Sequence, residues 1–176
     1  MFSLKIFKPI LAALILSGCV STGLVPDDYT GPIAVIADSS GPVVGPDMGW
    51  LNPRRLVTPP KVDLFFVAKV DGKTVQNIGS QVRARNYGRG FALTVKPYDR
   101  EIPVRPLKLE LSGYTHHAAE IGALFGDVHT VNGTVSFTPK AGVRYIVRGS
   151  LSKEYSAVWV QTSGGSIVTS KVEKRR

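Results

Sequence analysis

The chain has a single cysteine, Cys19, so no disulfide can form within it and no cysteine framework can staple its fold. Its three histidines, His116, His117 and His129, all fall in one short window. The apolar run near the N-terminus, Ile10 to Leu16, is too short to span a hydrocarbon core of ~30 Å. Catalytic signatures are missing as well: there is no Gly-x-Ser-x-Gly, no P-loop and no paired-glycine dinucleotide motif. Ser150-Leu151-Ser152-Lys153 has Ser-x-x-Lys spacing, but the Ser-Asp-Asn and Lys-Thr-Gly tripeptides that complete that chemistry do not occur. Carboxylates such as Asp99, Glu101, Glu110 and Asp127 are scattered, so no pair stands out for acid–base work.

What is present begins with a segment of distinct physical regions. Lys5 and Lys8 make a positive start, the Ile10–Leu16 run follows, and small residues lead to Cys19. That order is the layout of a secretory signal over residues 1–18. Leu16-Ser17-Gly18-Cys19 resembles the lipobox of bacterial lipoproteins. The resemblance implies cleavage before Cys19, lipid on its thiol and anchorage in a bacterial envelope membrane. Several acyl chains would make attachment effectively permanent, since each buried methylene contributes about 0.8 kcal/mol. Such lipidation consumes the only thiol and excludes cysteine catalysis. Val20 stands where many inner-membrane lipoproteins carry aspartate, which by resemblance favours an outer membrane facing the periplasm in a diderm organism. The net charge is +9, or +7 once Lys5 and Lys8 are removed. A basic exported protein is expected to meet anionic lipid, glycan or an acidic envelope protein, and export argues against nucleic acid.

Residues 19–60 read as a lipidated N-terminus and a Pro/Gly-rich tether, because seven of the twelve prolines lie there (Pro26, Pro32, Pro42, Pro46, Pro53, Pro59 and Pro60). Within it, Ile33–Ala37 is long enough for an edge strand, and Trp50 with Leu51 could fold back on the domain. The globular unit is expected over residues 61–172, with residues 173–176 a solvated basic tail. Val62–Val70 is apolar on both alternating faces, which predicts a central strand covered on both sides. Asp71-Gly72, Asn132-Gly133 and Gly164-Gly165 each separate apolar runs and predict hairpin turns. Further strands are expected over Lys73–Ile78, around Phe91, Leu93 and Val95, through Leu107, Leu109 and Leu111, and through Val143, Tyr145 and Val147. His116–Phe125, with Thr115 as cap and Gly126 as stop, could form one short helix. Short strands with regular turns indicate a mostly β, antiparallel sandwich or barrel, and a sandwich is the expected form.

The lipobox at Cys19 and the late strand Ala141-Gly142-Val143-Arg144-Tyr145-Ile146-Val147 resemble those of small bacterial lipoproteins with a PEGA-like or immunoglobulin-like sandwich. The similarity covers Val62 to Val172, and it implies fold and location.

Two clusters carry chemistry. His116, His117, Glu120 and His129 offer imidazole and carboxylate at helix-compatible spacing, the ligand types of zinc, and would support a small metal-dependent or hydrolytic enzyme. Adjacent histidines cannot both face one ion from a regular helix, so no metal or other cofactor is expected. Arg83, Arg85 and Arg89 lie in a glycine-rich stretch with Tyr87 and Phe91, suited to an anionic partner. Arg89-Gly90-Phe91-Ala92 matches the opening of an RNA-recognition strand, but Leu93-Thr94 breaks it and the alternating helices are missing. The expected function is a non-enzymatic binding or structural module for an envelope component, held at the membrane through Cys19.

Overall fold

The computed structural model describes residues 24–45, 59–119 and 127–175. Cys19, Trp50, Leu51 and Glu120 lie outside the described residues. The fold is mostly β. It is organised around β2 (Lys61–Val70), whose two faces bury different clusters. Phe65 and Val67 enter the main core, while Val62, Leu64 and Phe66 face a second cluster under the helix. A bulge between Val67 and Lys69 shifts the register, so Val70 turns back to the main core. The expectation of a strand covered on both sides holds.

Beside β2 runs β5 (Leu107–His117), where Leu107, Leu109 and Leu111 point inward and Lys108 outward, and beside β5 runs β6 (Thr130–Phe137). On the other side stand β1 (Ile33–Ser40), β7 (Arg144–Ser150), β8 (Tyr155–Thr162) and β9 (Val172–Arg175), giving the order β6-β5-β2-β1-β7-β8-β9. The short β3 (Lys73–Thr74) pairs with β2, and β4 (Tyr98–Pro103) pairs with β1. All pairings are antiparallel except β1 with β7. The sheet nearly closes, because β6 and β9, at opposite ends of the path, meet. A Cβ on Gly133 would lie 2.6 Å from Val172 Cγ1.

Glycines inside strands make room here. Phe65 lies opposite Gly113 on β5, and its ring also occupies the space where a Gly149 side chain on β7 would stand. Each fully buried aliphatic or aromatic side chain in such a core contributes about 1.5–3 kcal/mol. Ile36, Leu109, Leu111, Val147, Val158 and Val160 are completely covered.

Several expectations need correction. Ile33–Ala37 is no edge: β1 is flanked by β2, β4 and β7, and Ala34 and Ile36 are core residues, so folded structure starts well before Lys61. Asn132-Gly133 makes no turn. Both pair with β5 in mid-strand, and Val131, Val135 and Phe137 keep one face buried throughout. The tail is strand: Glu173, Lys174 and Arg175 pair with Ala157, Ser156 and Tyr155. Phe91–Val95 is irregular, although Leu93 and Val95 still pack on the second cluster. His116 and His117 end β5 instead of opening a helix, and the Thr115 amide donates to His129 O.

The other turns hold. Asp71 and Gly72 have φ of 49° and 80°, the positive values a type I′ turn requires. Gly165 (φ 91°) turns β8 into a returning segment whose Val168 amide donates to Val160 O.

The one helix among the described residues is α1 (Ile78–Asn86), in a stretch read from sequence as strand and loop. Asn77 caps it: its Oδ1 accepts from Ser80 N at 3.0 Å, and Ser80 Oγ accepts from Asn77 N at 3.3 Å. Ile78 and Val82, four apart, seat it on β2, and Arg83 and Arg85 lie near its negative end. Asp38 ties the parts together. Its buried carboxylate accepts from Val67 N (3.2 Å) and from Ile78 N at the helix start (2.9 Å), and it pairs with Arg100 of β4. No helix among the described residues is long and apolar enough to cross a membrane.

Candidate functional site

The second cluster places α1 across the outer face of β2 and β5, and the chain leaving the helix builds the surface that follows. Asn86, the last helical residue, has a buried side chain with every polar group used. Its Nδ2 donates to Val82 O (2.7 Å) and Thr94 O (3.0 Å), and its Oδ1 accepts from Thr94 N (2.7 Å). This clasp closes the loop from Tyr87 to Leu93 at its base. Gly88 and Gly90, with φ of 72° and 61°, supply left-handed turns that a branched residue would resist.

Two depressions flank this loop. A cleft of about 490 Å³ is lined by Arg83, Asn86, Tyr87, Thr115, His116 and Val128, among others. A second hollow of similar volume is lined by Ala84, Arg85, Tyr87, Arg89, Thr94 and Lys96. Tyr87 is the wall they share, and it is 87% exposed. The second hollow thus gathers three cations and no carboxylate. Among the described residues Arg85, Arg89 and Lys96 have no acidic partner within salt-bridge distance, unlike Arg100, Arg105 and Arg144, which pair with Asp38, Asp71 and Asp99.

The cleft is chemically mixed. Tyr114 stacks edge-on against Phe66 and His116, and burial pushes its hydroxyl pKa up while Arg83 opposes the rise. Burial, with help from Arg83 and His117, pushes the His116 imidazole below its ordinary value, so it stays neutral to lower pH. His117 Nε2 lies 3.3 Å from Asp127 O, a bond that puts the proton on that nitrogen. The His117 Nδ1 is buried without a partner among the described residues.

The structure therefore joins the two clusters singled out in the sequence, but only in part. Arg83, His116 and His117 line one cleft, and Arg85 and Arg89 line its neighbour. His129 is elsewhere. It lines a small crevice with Thr130, Ser152, Lys153, Ser156 and Lys174. As successive strand residues, His116 and His117 leave the backbone in opposite directions. Among the described residues no three His, Cys, Asp or Glu side chains converge as a metal site. In the Ser-x-x-Lys stretch, Ser150 ends β7, and Ser152 Oγ is engaged by Tyr155 N (3.0 Å) and Tyr155 O (2.7 Å).

Sequence reasoning missed Asn86, Thr94 and Lys96. Lys96 stands seven residues beyond Arg89, and only the Asn86–Thr94 clasp brings it back to the arginines. The capping pattern Asn77-x-x-Ser80 before an apolar i, i+4 pair was the local signal for α1. Comparison with protein-family models, with characterised proteins and with solved structures finds no match for the chain.

Proposed function

We propose that this chain is a lipid-anchored envelope lipoprotein that acts as a non-enzymatic binding module for an anionic envelope component. Cys19 carries the anchor, in an outer membrane facing the periplasm where the organism has one. The domain is an immunoglobulin-like or PEGA-like sandwich. In support, β1 pairs with β4 along Ile33–Asp38 and with β7 at Val35–Ala37, then with β2 at Ser39 and Ser40, so this one strand changes neighbours along its length.

The observation that carries the binding function is the hollow in which Arg85, Arg89 and Lys96 surround Tyr87 with no carboxylate among its lining. Gathering like charges costs free energy, and an anionic ligand offsets it. A nucleophile held by a base, or a metal held by supporting ligands, would be needed for catalysis, and among the described residues neither arrangement supports the enzyme alternative. The test is photo-crosslinking in intact cells from position 84, which lines the same hollow. Adducts to an anionic envelope component should form and should disappear in Arg85→Glu/Arg89→Glu/Lys96→Glu. Adducts indifferent to those charges would overturn the proposal, as would turnover of an envelope substrate by the purified chain.

A further inference from the structure

The cationic hollow is not purely polar at its margins. Tyr87 is 87% exposed and Phe91 52%, placed on either side of Gly88-Arg89-Gly90. Val128, 42% exposed, lines the adjoining cleft with Tyr87. A soluble phosphate or glycan acid needs only the cations. Large apolar side chains left in water near them match a ligand with an apolar layer next to its charge.

We infer that the Tyr87–Lys96 loop is a second membrane contact: it docks on the anionic phospholipid headgroups of the bilayer that holds the anchor. The inference rests on the anionic-partner reading and names that partner's chemistry. Arginine and lysine pair with lipid phosphates, tyrosine sits at headgroup depth with its hydroxyl in water, and phenylalanine buries its ring at the headgroup–acyl boundary. The loop is built for presentation. The Asn86–Thr94 clasp fixes its base, and Leu93 and Val95 hold its return limb on the helix cluster. Phe91 and Tyr87 are thereby kept at the surface and out of the core. Chain length keeps the domain close to the bilayer, because Leu24 already packs on the core and the five residues from Cys19 to Leu24 reach at most about 18 Å when extended.

The test uses the full chain carrying Cys19→Ser, so that no acyl chain contributes. It is floated with vesicles of phosphatidylcholine plus phosphatidylglycerol and with vesicles of phosphatidylcholine alone. Binding should require phosphatidylglycerol and fall roughly a hundredfold in Arg85→Glu/Arg89→Glu/Lys96→Glu. It should fall roughly tenfold in Tyr87→Ala/Phe91→Ala, a change the cations alone would not produce. The apolar segment before Cys19 is common to all variants, so these ratios isolate the loop. Equal binding to both vesicle types, or binding unaffected by the loop substitutions, overturns the inference. Binding of inorganic tripolyphosphate at the loop without vesicle binding also overturns it, while leaving the anionic-partner reading intact. Binding to neither defeats both.

Discussion

Replacing Asp38 with alanine should unfold more of this protein than its size suggests. The Asp38 side chain is fully covered, and that of Arg100 is 7% exposed. Truncation leaves the buried amides of Val67 and Ile78 without acceptors, at about 1–3 kcal/mol each, and strips Arg100 of its carboxylate. Arg100 keeps its hydrogen bond from Nη1 to Val67 O at 3.3 Å and its place over the Tyr98 ring, 5.0 Å from the centroid. The expected loss is about 3–5 kcal/mol, a large share of the 5–15 kcal/mol typical of a domain. The first amide of α1 is among those released, so the helix should loosen first. Arg100→Met makes a sharper comparison because it leaves both acceptors in place.

Burial pushes the Asp38 pKa up from 3.8 to about 6, against the opposing pull of Arg100 and the two amides. The folded protein therefore binds this proton more tightly than the unfolded chain. Its contribution to stability falls as pH rises from about 4 to about 6, and is level above. Without Arg100 the ionised form loses its counter-charge, so Arg100→Met should cost little near pH 5 and clearly more near pH 8. Urea denaturation of the three proteins at both pH values reads these differences. An Asp38→Ala loss under about 1 kcal/mol, or an Arg100→Met cost equal at both pH values, would refute the reasoning.

Two other perturbations probe different parts of the account. Gly149→Ala would place a methyl 2.3 Å from the Phe65 ring and 2.5 Å from Ala157 O, so thermal melting should show a loss of about 1–3 kcal/mol, and an unchanged midpoint would mean the core is looser than described. Cys19→Ser should block lipidation and processing of the chain in expressing cells; normal processing together with retention in the membrane fraction would remove the anchor from the account.

The parts of the fold that were legible in the sequence are those decided locally. Two-faced burial of Val62–Val70 and the alternation of Leu107, Leu109 and Leu111 follow from residue type at period two. Asp71-Gly72 turns because both positions hold positive φ. Asn132-Gly133 carries the same local signal, yet lies in mid-strand. Distant β9 supplies Val172 to fill the space above Gly133, and β5 pairs across both residues. The placement of β1 was hidden likewise. Five small and apolar residues among prolines look like an edge, and only pairing with β4 and β7, some seventy and more than a hundred residues away, makes them central. At the site, the arginines were visible as a charge cluster, but Lys96 joins them through a buried asparagine clasp that no periodicity announces.

The central claim, that cations around Tyr87 bind an anionic envelope partner, is tested most directly by the salt dependence of binding to isolated envelope membranes. The account expects affinity to fall steeply as salt rises and shortens the Debye length from about 10 Å at 0.1 M to about 3 Å at 1 M, with wild type and Arg85→Glu/Arg89→Glu/Lys96→Glu converging at high salt. Binding that ignores salt, or that is the same for both proteins at low salt, would contradict it.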